Sequence, residues 1–147
     1  MAFEFPSDAS VLHLLRTTHR SAARLLQARI DPHGVTLGMW YFLRVLWEED
    51  GLTQRELSQR VGTVEPTTVT AINAMVARGL VRREANPADR RKRHIHLTEE
   101  GRWLRATLLP HAAEVNRIAS RGIPDADMAR LRTALAAMRR NVDQAGP

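Results

Sequence analysis

Four consecutive cations, Arg90-Arg91-Lys92-Arg93, are the densest block of charge in this sequence. Such a run is not core. Its chemistry is that of a polyanion-binding surface, since each guanidinium can pair two phosphate oxygens at once. Asp89 stands just before them, and a carboxylate so placed can hold neighbouring guanidinium groups by bidentate pairing. A second group lies upstream. Pro66, Thr67, Thr68, Thr70 and Asn73 crowd one short segment around Val69. Threonine is a mediocre helix former, so propensity does not explain them. Short hydroxyls and methyl groups suit phosphates and base edges. A polar, solvated helix face accounts for the same composition, and the composition alone does not choose.

The elements that must position these residues follow from local signals. Thr53 with Glu56 three residues on makes a capping box, Leu57 and Val61 are the apolar positions of a short helix, and Gly62 ends it. Thr53 and Gln54 therefore open that helix. Thr63 or Glu65 caps the next helix, about 66–78, where Pro66 suits the first turn and Gly79 closes. Two helices joined by a tight glycine turn are a nucleic-acid-reading arrangement, although capped helix pairs also occur in all-α cores. The apolar register of the second helix is ambiguous: Val69, Ile72 and Val76 make one stripe, and Ala71, Ile72 and Met75 another. If Met75 is core, Val69 faces a groove and can touch a thymine methyl.

A hairpin comes next. Residues 80–84 read as a strand and Asn86-Pro87-Ala88-Asp89 as a turn. Arg93 to Leu97 alternates, with Ile95 and Leu97 on one face and His94 and His96 on the other. The four cations sit at the hairpin tip. Helix, turn, helix and basic hairpin in one continuous block make a winged helix-turn-helix. The expected fold is mostly α with a small β-hairpin wing, flanked by N- and C-terminal helices.

Residues in this block resemble the MarR family of bacterial transcriptional regulators. The resemblance is carried by Thr53, Glu56 and Leu57, by Gly79-Leu80-Val81 with Arg83, and above all by Asp89-Arg90-Arg91 followed by Leu97-Thr98-Glu99-Glu100-Gly101. It implies a homodimer that binds a palindromic operator on double-stranded DNA and is released by a small-molecule effector. It also implies that Arg91 enters a minor groove, whose narrow A·T form attracts arginine, with Asp89 orienting it. The sequence departs from the family at Thr70, where many members carry a cation. The DNA-binding set is then Thr53, Gln54, Pro66, Thr67, Val69, Thr70, Asn73, Asp89, Arg90, Arg91, Lys92 and Arg93. The implied organisation is an arm and dimerisation helix over 1–34, the winged helix-turn-helix over 35–101, and dimerisation helices over 102–147.

Composition agrees with this. The net charge is +6 and the pI about 11.2, which favours a polyanionic partner. Lys92 is the only lysine; a GC-rich genome would also encode such an arginine bias. No cysteine is present, which excludes a thiol redox sensor and a cysteine-liganded metal. The N-terminus has no signal-peptide pattern and no apolar run approaches membrane-spanning length, so the expected location is cytoplasmic. No His-Glu-x-x-His, phosphate-binding glycine loop or Gly-x-Ser-x-Gly occurs. The expectation is a protein that is not an enzyme and has no cofactor. His94 and His96 share a strand face and could supply two metal ligands; wing residues beside phosphates is the reading preferred here, so no metal is assigned.

The flanks supply support. Phe3 and Phe5 lie in an N-terminal arm. Ser7 or Asp8 caps a first helix running to Ile30, apolar at Val11, Leu14, Leu15, Thr18, Ala22, Leu25 and Leu26, with His13, Arg16, Arg20 and Arg24 on the opposite stripe. Thr36 caps a second helix, about 37–49, holding Trp40, Tyr41, Phe42 and Trp47. Such a cluster is core or the lining of a flat pocket, and Arg44 lies one turn from Trp40. An arginine beside aromatic surface can hold an aromatic carboxylate or a charged thioester. By the resemblance, effectors bind near here, which makes His13, Arg16, Arg20, Trp40 and Arg44 the ligand candidates and an aromatic acid or acyl-CoA the ligand. Thr98 caps a long helix to about Arg121, with Pro110 inside it. A last helix, about 125–142, carries Met128, Leu131, Leu135 and Met138 as a stripe with nothing in its own chain left to cover. Other functions remain open: a sequence-nonspecific architectural DNA binder, or a module whose wing docks an acidic protein.

Overall fold

The computed structural model describes residues 1–147 and divides into two compact units, Met1–Ala112 and Ala113–Pro147. In chain order, the elements are α1 (Val11–Ile30), α2 (Leu37–Glu48), β1 (Leu52–Thr53), α3 (Gln54–Val61), α4 (Glu65–Ala77), β2 (Val81–Ala85), β3 (Arg93–Leu97), α5 (Glu99–Ala119) and α6 (Asp125–Ala145). No helix is long and apolar enough to cross a membrane.

The first unit is built on one apolar core. Leu43 and Leu46 of α2, Leu57 of α3, Ile72 and Met75 of α4, Leu80, Ile95 of β3 and Leu108 of α5 are all fully buried. Ile30, at the end of α1, joins them. The three strands form one antiparallel sheet in the order β1-β3-β2. Leu52 pairs with Ile95, and Val81 with Leu97, so the apolar faces of all three strands turn inward together. The expected alternation in β3 is present: Ile95 and Leu97 are buried, His94 and His96 partly exposed. The two-residue β1 had not been expected. Its Thr53 is also the N-cap of α3, and so short a strand leaves no periodicity to read.

Caps set the helix ends. Thr53 accepts from the Glu56 N–H and the Glu56 carboxylate accepts from the Thr53 N–H, a complete capping box. Gly62 ends α3 in the left-handed region at φ 78°, which glycine adopts without penalty. Thr36 caps α2 as expected. Two expected caps are corrected. α1 is capped by Ser10, whose hydroxyl accepts from the His13 N–H, because Ser7 and Asp8 belong to a separate 3-10 turn. α4 has Val64 at its N-cap with no side-chain cap, and Glu65 and Pro66 form its first turn. At the other end of α4, the Leu80 N–H reaches back to the Met75 carbonyl at 2.9 Å, and Thr98 donates to the Gly79 carbonyl at 2.6 Å while accepting from the Gly101 N–H at 3.1 Å. One threonine thereby joins the end of α4 to the start of α5.

The register of α4 is settled by a buried hydroxyl. Thr68 is fully buried, Ile72 and Met75 with it, while Val69 and Val76 are each 38% exposed. Thr68 lies 2.6 Å from the Ser58 hydroxyl, which donates to the Gln54 carbonyl at 3.0 Å. Thr68 is therefore a core residue linking α3 to α4 and does not face solvent with its neighbouring threonines. Thr68→Val keeps the shape and deletes the bond to Ser58 together with a longer one to the Val64 carbonyl at 3.3 Å. It is expected to lower stability by about 1 kcal/mol, read as a lower denaturation midpoint at unchanged m-value.

In the second unit α6 buries no residue at all, and Leu131 is 45% exposed. α6 runs to Ala145, one turn beyond the expected end, and the helix containing Pro110 is continuous from Glu99 to Ala119.

Candidate nucleic-acid interface

The N-termini of α3 and α4 and the tip of the β2–β3 hairpin border one cleft of about 470 Å³. It brings together seven of the expected DNA-binding residues: Thr53, Gln54, Val69, Asp89, Arg91, Lys92 and Arg93. Thr67 and Thr70 line a neighbouring hollow of about 320 Å³ against Thr36, Gly38 and Met39 of the α2 end. Pro66 and Asn73 are exposed on α4, and Arg90 is exposed at the tip.

The hairpin tip is ordered by backbone bonds. Asn86 N–H donates to the Lys92 carbonyl at 3.2 Å, and Lys92 N–H to the Asp89 carbonyl at 3.0 Å. The Asn86 side chain accepts from the Ala88 N–H at 2.9 Å. Asp89 accepts from the Arg91 backbone N–H at 3.0 Å. The expected guanidinium pairing by Asp89 is therefore corrected: its carboxylate folds the loop and leaves the Arg91 side chain unpaired. No ion pair involves Arg90, Arg91, Lys92 or Arg93, although the chain forms ion pairs elsewhere, such as Arg78 with Glu100 at 2.8 Å. Four exposed cations without carboxylates are a surface whose natural counter-charge lies outside the chain.

Arg83 was singled out only as a family-matching residue, and its position gives it a structural task. From β2 it donates to the Gln54 side chain at 3.2 Å and to the Asn73 side chain at 2.5 Å. One guanidinium thus ties the wing to the start of α3 and the middle of α4. Arg55, Glu56 and Glu65 also line the cleft and were absent from the expected set; polar residues at two helix starts facing a basic hairpin was the signal available for them.

The histidines of β3 are engaged locally. His94 Nδ1 lies 2.8 Å from the Gly51 carbonyl and Nε2 3.3 Å from the Asn86 amide nitrogen, so both ring nitrogens are used within the wing. His96 sits 3.3 Å from Glu84.

The ligand candidates are dispersed. Trp40 is 4% exposed and packs edge-on against Trp47 with ring centroids 5.7 Å apart. Arg44 lies over the Trp40 ring at 5.8 Å. His13 and Arg16 are exposed on α1. Arg20, with Arg24, borders a shallow hollow of about 510 Å³ floored by Ala23, Ala28 and Leu37.

Comparison with known proteins gives a consistent result. Residues 33–92 match the MarR family model. The chain is 29% identical over 106 residues to the HTH-type transcriptional regulator TtmR of Methylorubrum extorquens, covering 71% of this chain and 54% of that protein. The chain spans about half the length of the curated relatives it matches. Among solved structures, a MarR transcriptional regulator from Methanosarcina mazei superposes with a TM-score of 0.86 at 27% identity, over 92% of this chain and 97% of that one. BpsR of Bordetella bronchiseptica, whose DNA binding is regulated by 6-hydroxynicotinic acid, superposes with a TM-score of 0.81 at 25% identity, over 88% and 98%. The family match falls on residues 33–92, the helix-turn-helix and the first part of the wing, and the fold agrees along nearly the whole chain with that of a MarR transcriptional regulator.

Proposed function

We propose that this regulator is a repressor that binds a palindromic operator as a homodimer and is released by a small anionic effector. The observation that carries the reading is the cleft that puts the exposed start of α4 beside a hairpin tip of unpaired cations. α4 is positioned to enter a major groove with its N-terminal residues towards the bases, and the tip to reach the flanking minor groove. The DNA-contacting residues are then Thr53, Gln54, Pro66, Thr67, Val69, Thr70 and Asn73 in the major groove and on its phosphates, with Asp89, Arg90, Arg91, Lys92 and Arg93 at the wing.

A homodimer is supported by what each unit leaves uncovered. Val11, Leu12 and Leu14 of α1 are 51%, 63% and 48% exposed, and α6 has a regular apolar stripe yet buries nothing. Contiguous apolar faces of that kind belong in an obligate interface. A two-fold dimer sets half-sites about one helical turn apart.

The effector reading rests on Arg20 and Arg24 over the apolar floor of the α1 hollow, which Gln27 and Asp31 also line; His13, Arg16, Trp40 and Arg44 lie elsewhere in the same unit. An aromatic acid or its acyl-CoA thioester suits cations beside an apolar floor, and an aromatic acid is the class that regulates BpsR. Release requires the ligand to bind the DNA-incompetent state more tightly than the DNA-bound one.

Selection of bound sequences from a random duplex pool, at near-physiological salt, tests the proposal. A palindrome with half-sites about one turn apart supports it. Salt-dependent binding with no enriched sequence leaves the architectural reading in its place. Arg83→Met is expected to keep the fold and weaken binding to the selected site about tenfold, by freeing Gln54 and Asn73 from their common clamp. Binding curves beside an unchanged circular-dichroism spectrum check it.

A further inference from the structure

We propose that Glu65 is a base-reading side chain of this regulator, and that it selects cytosine through the N4 amino group in the major groove. The inference rests on the reading that α4 enters that groove.

Three carboxylates line the cleft, and they are not equivalent. Glu56 is held by the Thr53 N–H at 2.9 Å. Asp89 is held by the Arg91 N–H at 3.0 Å. Glu65 has neither a hydrogen-bond nor an ion-pair partner, is exposed, and sits in the first turn of α4, the part of a recognition helix closest to base edges. A free carboxylate facing a phosphate-lined groove raises the electrostatic cost of binding. The cations at Arg91, Lys92 and Arg93 across the cleft offset that cost.

The rest of the reading surface sharpens the assignment. α4 contains no lysine or arginine, so it lacks the side chains that pair bidentately with guanine. Asn73, the residue type suited to adenine, has its acceptor oxygen engaged by Arg83 at 2.5 Å. Thr70 donates back to the Pro66 carbonyl at 3.1 Å, which leaves its methyl for apolar contact. Val69, Pro66 and the threonine methyls suit thymine C5-methyl groups. Glu65 is the remaining strong polar group at the start of α4, with Arg55 of α3 also lining the cleft, and it only accepts. Cytosine presents a lone donor in the major groove, whereas guanine and thymine present acceptors and adenine sets N7 beside its donor. A carboxylate attracts the first pattern and is repelled by the others.

The bland role of Glu65 is to complement the helix dipole. It predicts a stability loss on removal and no change in base preference. Selection from one random duplex pool with wild type, Glu65→Gln and Glu65→Ala separates the two. Wild type is expected to enrich cytosine at one symmetric position of each half-site, by about 5- to 20-fold over other bases. Glu65→Gln is expected to move that position to adenine, which glutamine can pair bidentately, and Glu65→Ala to flatten it. Both variants are expected to bind random duplex more tightly than wild type, since a negative charge has left the groove. A wild-type palindrome whose base preferences are unchanged in both variants overturns the inference and leaves the operator reading intact. No enriched sequence with wild type overturns the reading beneath it.

Discussion

Gly101→Ala is expected to lower the stability of the first unit by about 2–3 kcal/mol, near the upper end for overpacking. Gly101 is buried in the first turns of α5. An added Cβ there would overlap the Leu80 carbonyl oxygen, with the Leu80 carbonyl carbon and a Leu97 methyl each at 3.2 Å. The obstacle is backbone, so no rotamer change relieves it. The Leu80 carbonyl also accepts from the Thr98 N–H at 3.0 Å, and the Gly101 carbonyl accepts from the Trp47 indole at 2.8 Å. Moving α5 away strains both bonds. Alanine gains about 1 kcal/mol of helix propensity over glycine, which is smaller than the clash. The expected fall in melting temperature is roughly 4–12 °C for a chain of this size. Gly62→Ala is the control: its φ is 78° but nothing lies within 4 Å of an added Cβ, so it carries only the left-handed penalty of about 1–2 kcal/mol. Thermal melts of both variants check the ranking, and a milder loss at Gly101 than at Gly62 would contradict the packing argument.

The contrast between these glycines shows where sequence reasoning holds and where it stops. Gly62 was legible because a helix stop needs a left-handed residue, and the Thr53–Glu56 pair because a capping box is local. The β3 alternation was legible for the same reason: its period is written in five consecutive residues. Features set by distant partners were hidden. Thr68 and Val69 have nearly the same shape, and what decides which is buried is a hydroxyl on Ser58, ten residues earlier. Asp89 was correctly tied to the arginine run, but the partner of its carboxylate is the Arg91 backbone, a distinction of loop geometry that composition does not carry. Val64 took the N-cap of α4 in place of Thr63 or Glu65 because the chain enters there extended, at φ −93° and ψ 153°. Of the expected ligand set, the aromatic cluster and its core reading were legible, and Trp40 packs into the core; the hollow beside Arg20 was not, because it is set by how α1 meets Leu37.

Replacing Arg90, Arg91 and Lys92 together by glutamine is expected to flatten the salt dependence of DNA binding by roughly 5 units of log K against log salt, since the dimer loses six cations and each phosphate contact contributes about 0.9. None of the three is in a strand, is buried or forms an ion pair, so the fold has no stake in their charge. The three single variants then divide the loss. Arg90→Gln and Lys92→Gln are expected to weaken all duplexes alike, each lowering the slope by about two units, one per protomer, as phosphate contacts do. Arg91→Gln is expected to cost about 1–3 kcal/mol on the selected operator and less on duplexes whose flanks lack a narrow A·T minor groove. That difference follows from the loop: the bond from Arg91 N–H to Asp89 fixes the backbone beneath one guanidinium and leaves its side chain free to extend. Asp89→Ala should therefore reproduce part of the Arg91 loss without removing any cation, lowering operator affinity while leaving the salt slope nearly unchanged. If Asp89→Ala instead tightens binding to every duplex equally, the carboxylate acts only as a repulsive charge, and the wing loop holds its shape without it.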